Sequence, residues 1–283
     1  MGVVMLSLGL TACAGIGSSG SPTATSSAGQ SSRLAAQVVG IDFGVGGNRF
    51  SFTLSKGNHP FTSAKPEVYF FALQGFNALP AGHGPATYQS VGVGQTETTG
   101  VYVAHTTFDR SGKWGAEIDL KAGGKKKSLQ VIFDVAKRSA TPAVGAAAPH
   151  SNNPTDTRVP VSSLDSGHPP DDMHRVSIAS AIVHHRPLVV LFASAAYCGT
   201  FQCGPQIAVV EKLERRYRAR VDFVHVDVFR SARPPHLSAT ALQWHVPSQP
   251  WVFVVDRHGM IAAKFEGPAA ASEIEAAIRQ VSH

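Results

Sequence analysis

Two cysteines stand close together late in this 283-residue chain, in Cys198-Gly199-Thr200-Phe201-Gln202-Cys203, and the third is Cys13 near the start. Thiols paired in this way can exchange with other disulfides, form a permanent bridge, or hold a soft metal ion. Their spacing restricts where they sit. Residues five apart in one regular helix rise about 7.5 Å and are turned by roughly 140°. A disulfide needs Cα atoms within about 4.4–6.8 Å. A bonded pair therefore cannot lie wholly in a helix. Cys198 then belongs in a loop turned by Gly199 and Thr200, and Cys203 at the start of a helix whose first turn takes Pro205. A helix N-terminus stabilises an adjacent thiolate.

The 13 histidines supply the other candidate chemistry. His225 alternates with Phe223 and Asp227 in a strand-like run, and His236 and His245 lie near a short helix ahead of Pro250. Each could add an imidazole to the two sulfurs, and His225 reads equally as an ordinary half-buried strand residue. His59, His83 and His105 have no tight ligand spacing, and His184-His185 close a helix, where a cation suits the dipole. No phosphate loop, catalytic carboxylate pair or serine triad stands out, so no cofactor is expected. The net charge is +6 and the pI about 9.4, but the Lys and Arg are scattered. The one tight run, Lys125-Lys126-Lys127, follows Gly123-Gly124 and reads as a solvated hairpin tip. Nucleic acid is therefore not an expected partner.

The elements that position the cysteines lie in residues 161–283. Residues 173–185 carry Met173, Val176, Ile178, Ala179, Ile182 and Val183 near helical spacing, ended by Arg186-Pro187. Residues 188–193 form an apolar run of the kind parallel sheets bury. After the cysteines, Ile207, Val210, Leu213 and Tyr217 mark an amphipathic helix. Residues 221–228 alternate as a strand, residues 237–244 read as a short helix, and residues 251–255 and 260–265 as strands joined by an Asp256-Arg257-His258-Gly259 turn. A last helix covers residues 272–281, with Ser272 as its N-cap.

A cysteine pair between the first strand and its helix resembles the thioredoxin family, and more specifically its extracytoplasmic TlpA-like members. The match covers about 120 residues through Phe192–Tyr197, the helix after Cys203, Pro250 ahead of Trp251-Val252-Phe253-Val254-Val255, and the hairpin at Gly259. The resemblance implies that Cys198 attacks, that Cys203 resolves, and that Pro250 is a cis-proline facing them. Tyr197, Gln249 and Trp251 would then border a substrate groove. This chain departs from the family in its four intervening residues, in Tyr197 where thioredoxins carry Trp, in Gln249 where Thr, Val or Ile is usual, and in the lack of an acidic residue in the first strand. The copper-delivering SCO type shares the fold and adds a distant histidine to two cysteines. Three readings follow: thiol–disulfide exchange with protein thiols and disulfides, a binding or structural module stapled by a disulfide, and copper handling.

Upstream, residues 36–138 show period-two runs at residues 49–54, 101–105, 114–120 and 129–135, and a continuous apolar run at 68–73. Ser111-Gly112 and Gly123-Gly124 punctuate them, and no helix-period segment intervenes. The expected architecture is an all-β, Ig-like sandwich. Residues 100–115 are similar to a stretch of the FixH-like and YtkA-like periplasmic sandwich domains. Residues 139–160, rich in Ala, Pro, Asn and Thr, are expected to link the two domains, and residues 144–149 resemble the entry of extracytoplasmic thioredoxin-like proteins, so the linker is expected to lie partly against the second.

Residues 3–12 are apolar but too few to span a bilayer, which takes about 20 residues. They end in Leu10-Thr11-Ala12-Cys13, which resembles the bacterial lipobox, although no Lys or Arg precedes them. Residues 1–13 are thus expected to be a signal segment with a lipid on Cys13, or else an ordinary cleaved signal. Residues 14–35, dominated by Ser, Gly, Thr and Ala, are expected to be a flexible tether. The protein is expected outside the cytoplasm, anchored to the membrane.

Overall fold

The computed structural model describes residues 33–92, 99–199, 202–232 and 235–283. The expected signal, Cys13 and most of the tether lie outside the described residues.

Nine strands occupy the first part: β1 (Leu34–Val38), β2 (Gly46–Lys56), β3 (His59–Pro60), β4 (Glu67–Gln74), β5 (Asn77–Pro85), β6 (Thr87–Ser90), β7 (Gly100–Phe108), β8 (Gly112–Ala122) and β9 (Lys125–Val135). All pair antiparallel, in one sheet ordered β1-β2-β7-β6, with β3 on β2, and another ordered β5-β4-β8-β9. The period-two pattern decides which side chains meet between them. Trp114, Ala116, Ile118 and Leu120 of β8 and Val68, Phe70 and Ala72 of β4 are buried against Phe50, Phe52 and Leu54 of β2. Phe50 lies 5.1–5.8 Å, centroid to centroid, from Phe43, Phe52, Phe70 and Phe133. Gly123 and Gly124 turn the β8–β9 hairpin with φ of 58° and 75°, a conformation that favours glycine at both positions. Lys125–Lys127 are the exposed first residues of β9 rather than the tip itself. On the outer face of the first sheet Ser51, Val101 and Val103 are buried as well.

The second part holds β10 (Leu188–Phe192), β11 (Asp222–Val226), β12 (Phe229–Ala232), β13 (Pro235–Leu237), β14 (Trp251–Val255) and β15 (Ile261–Glu266), with helices α1 (Ile178–Val183), α2 (Cys203–Tyr217), α3 (Ala239–Gln243) and α4 (Ala271–Val281). The main sheet runs β11-β10-β14-β15, with β10 parallel to β11 and antiparallel to β14. Every residue of β10 and β14 is buried, because helices cover both faces. Val189, Leu191, Val252 and Val254 pack with Val209, Leu213, Ile274 and Ile278 of α2 and α4. Val190, Phe192 and Phe253 pack with Ile178, Ile182 and Trp244 on the side of α1 and α3.

Several boundaries differ from the sequence expectation. The first helix begins at Ile178, capped by the Ser177 hydroxyl, rather than at residue 173. Residues 171–177 are drawn out of helix because their side chains and carbonyls are used elsewhere: the Met173 carbonyl accepts the His225 amide at 2.8 Å. The third helix starts at Ala239 because residues 235–237 pair with β12 instead. Ser272 lies inside α4; the N-cap is Ala270, whose amide is held by the Glu273 carboxylate at 3.0 Å.

The segment between the two parts does lie against the second. Ala147 bridges Met260, and the amides of Gly145 and Ala148 donate to the Ile261 and Gly259 carbonyls. Polar contacts also join the parts directly. Arg49 of β2 reaches Glu273 of α4 at 2.8 Å, and the Ile41 and Asp42 amides each donate to Glu266 at 3.0 Å.

Candidate functional site

Cys198 and Cys203 are bonded to each other, with Cα atoms 6.2 Å apart. Cys198 lies in the loop between β10 and α2 and is half-buried, whereas Cys203 is the first residue of α2 and only 1% exposed. The helix starts there because Pro205 falls in its first turn, where no amide donor is needed. The first amides of α2 have no intrahelical acceptor and point their positive ends toward Cys203. Cys198 is thus partly exposed at the edge of the core that holds Cys203 among Val209, Val210 and Leu213.

The Gln249–Pro250 peptide bond is cis, and Pro250 leads directly into β14. The loop it shapes is tied to the cysteine loop by Gln249, whose Nε2 donates to the Tyr197 carbonyl at 3.0 Å. Tyr197 and Gln249 are both partly exposed here. Trp251 is not. It is 1% exposed and stacks on Phe253 at 5.6 Å, and its Nε1 donates to Ser248 at 3.1 Å. Its alternation on β14 turns it toward the core, so it supports the cis-proline loop from behind instead of bordering an open groove.

Four side chains that sequence reasoning did not assemble meet beneath the cysteine loop: Asp165, Asp171, His174 and His225, each 0–3% exposed. His225 comes from β11. The other three come from the segment ahead of α1, which wraps across the end of β11 and is fixed there by the Met173 carbonyl. His174 Nε2 lies 3.3 Å from Asp165 Oδ2 and 3.2 Å from Asp171 Oδ1. His225 Nδ1 lies 2.7 Å from Asp171 Oδ2 and 3.8 Å from Asp165 Oδ2. Its Nε2 donates to the Ala193 carbonyl at 2.9 Å, five residues ahead of Cys198. The carboxylates are held in turn by backbone amides: Gly167 and Asp171 donate to Asp165 at 2.7 and 2.8 Å, and Met173 donates to Asp171 at 2.8 Å.

Burial and charge oppose each other in this cluster. Burial alone pulls His174 down, but the Asp165 and Asp171 carboxylates outweigh it and lift it to about 9. His225 is likewise raised against its burial, chiefly by Asp171. Burial pushes both aspartates up, and the imidazoles and amide donors more than reverse this, so both end below the usual carboxylate range. Asp227 differs. Burial dominates there and raises it to about 6, with His225 opposing. Its Oδ2 accepts the Ser166 amide at 3.0 Å, and Ser166 Oγ accepts the Ala196 amide at 3.1 Å, two residues ahead of Cys198. A cavity of about 510 Å³ opens against Asp165, His174, His225, Asp227 and Tyr197.

The candidate histidines are thereby sorted. Both ring nitrogens of His225 are engaged away from the sulfurs, and the exposed His236 places its Nδ1 3.4 Å from Ser231 Oγ. His245 is exposed at the end of α3. The sequence signal that could have revealed the cluster is Asp-x5-Asp-x2-His over residues 165–174, in a stretch without clean periodicity.

The strand order, the cysteine pair ahead of α2 and the cis-proline ahead of β14 make this part of the chain thioredoxin-like. No family model and no curated protein matches the chain. Among solved structures it is similar to a thio-disulfide isomerase from Thermus thermophilus, at 20% identity over 38% of this chain and 86% of that one, with a TM-score of 0.30. It is also similar to the PmoD soluble domain from Methylocystis sp. ATCC 49242 (Rockwell), at 15% identity over 36% of this chain and 90% of that one, with a TM-score of 0.24.

Proposed function

We propose that this protein exchanges thiols and disulfides with protein partners through Cys198 and Cys203, outside the cytoplasm, held to the membrane by a lipid on Cys13. The observation that carries the proposal is the asymmetry of the bonded pair: Cys198 is partly exposed in the loop tied to cis-Pro250, and Cys203 is buried at the first turn of α2. Among the described residues no helix is long and apolar enough to cross a membrane.

The chemistry follows from that geometry. A partner thiolate attacks the accessible Cys198 sulfur, forming a mixed disulfide and expelling Cys203 as a thiolate. The amides at the start of α2 stabilise that leaving group. A second partner thiolate then attacks the partner's own sulfur and releases Cys198. The partner gains a disulfide, and the pair becomes a dithiol after taking up two protons. Run in reverse, Cys198 attacks a partner disulfide and Cys203 resolves the intermediate.

The test is the reduction potential of the pair in glutathione buffers, with free thiols counted by mass. A value between about −120 and −270 mV belongs to catalytic thiol–disulfide proteins, and Cys203→Ser should then trap partners on Cys198. A value below about −300 mV would make the bond a structural staple. Its removal would then cost about 2–5 kcal/mol of stability and no activity.

A further inference from the structure

We propose that Asp165, Asp171, His174 and His225 form a binding site for one divalent cation of the zinc class, separate from the cysteine pair. The donor atoms lie close to the spacing that such an ion needs. Ligands about 2.0–2.1 Å from a tetrahedral zinc ion stand roughly 3.3–3.4 Å apart. His174 Nε2 lies 3.2 Å from Asp171 Oδ1 and 3.3 Å from Asp165 Oδ2, and His225 Nδ1 lies 2.7 Å from Asp171 Oδ2 and 3.8 Å from Asp165 Oδ2; one ligand atom from each of the four residues falls within 4.8 Å of the others.

The chemistry of the set narrows the ion. Two imidazoles and two carboxylates with no thiolate suit a borderline divalent cation and not Cu(I), which prefers sulfur. Two carboxylates facing two neutral imidazoles leave a charge that one divalent ion cancels in a buried place. The two imidazole rings converge on the same place, with centroids 5.3 Å apart. The outer shell is also in place. The Ala193 carbonyl takes the proton on His225 Nε2 and turns the Nδ1 lone pair inward, and the Gly167, Asp171 and Met173 amides orient the carboxylates. The cavity against Asp165, His174 and His225 supplies an entry path. A bound ion would tie the segment ahead of α1 to β11 and to Ala193 at the root of the cysteine loop.

The experiment takes the full chain, purified without a histidine tag and stripped with chelator, and titrates it with Zn²⁺ and separately with Co²⁺. One zinc per chain is expected, with the strong visible absorption of four-coordinate cobalt and no thiolate-to-cobalt band. The same uptake is expected in the Cys198→Ser, Cys203→Ser double variant. Asp171→Asn and His174→Gln should each weaken zinc binding by at least about 100-fold, more than the loss of an outer-shell partner. Failure of the unaltered chain to take up zinc would overturn the proposal whether or not the variants fold. So would uptake that disappears with the cysteines, or uptake that survives both cluster substitutions. None of these results bears on the reduction potential of the cysteines.

Discussion

Replacing Arg49 by methionine should loosen the join between β2 and α4, and the cost can be worked from its contacts. The Arg49 side chain is 9% exposed and its partner Glu273 13% exposed. Arg49 Nε donates to Glu273 Oε1 at 2.8 Å, and Nη2 donates to Glu273 Oε2 at 3.0 Å and to the Pro268 carbonyl at 2.9 Å. Methionine keeps a stem of similar length but removes the guanidinium, which also lies 6.0 Å over the Phe265 ring, so the loss is mainly electrostatic. It strands a buried carboxylate, which costs about 3–5 kcal/mol when a buried pair is broken from one side. Glu273 keeps one donor, the Ala270 amide, so the lower end of that range, about 3 kcal/mol, is expected. Hydrogen exchange of α4 amides would read this as a protection loss of roughly 100-fold, at about 1.4 kcal/mol per decade. Glu273→Gln should cost less, and the double variant should cost about 2 kcal/mol less than the sum of the singles. A coupling under about 0.5 kcal/mol would refute the reasoning and reduce the pair to a surface contact.

Two further outcomes follow from groups away from the cysteines. Burial raises Glu266 to about 7 despite its bonds from the Ile41 and Asp42 amides, so the folded chain holds a proton that the unfolded chain releases near the ordinary value of 4.5. Stability should therefore fall as pH rises from about 4.5 through 7, by on the order of 3 kcal/mol at most, and Glu266→Gln should flatten that slope in urea unfolding at pH 5 and 8. Gly100→Ala would drive a methyl group into the Gln89 carbonyl where β6 pairs with β7, and a melting curve should show a loss of about 1–3 kcal/mol.

Much of the fold was legible because it follows local pattern. Alternation in residues 114–120 marks Trp114, Ala116, Ile118 and Leu120 as the inward face of β8, and the unbroken apolar run at 188–192 marks a strand covered on both sides. The cysteine spacing and Pro205 place Cys203 at the head of α2 once the two sulfurs are bonded, and both features are found. Hydrophobic spacing also misled. Met173 fits a helical stripe and is buried, yet its segment is not helical, because its carbonyl accepts the His225 amide and the Asp171 carboxylate is held by both His174 and His225.

The sequence by itself determined which residues turn inward on each strand, where the cysteines sit in the helix–strand order, and that a proline precedes β14. Those are properties of neighbours along the chain, read from periods of two and 3.6. Only the tertiary structure decided that Trp251 supports the cis-proline loop from the core, that Arg49 meets Glu273 across 224 residues, and that Asp165, Asp171 and His174 close on His225. Burying charge is favourable only when partners meet it, and the carboxylate that holds His225 most closely, Asp171, lies 54 residues away. Apolar patterning carries no record of such pairings, so charged residues that look solvent-facing in sequence become the most constrained groups in the fold.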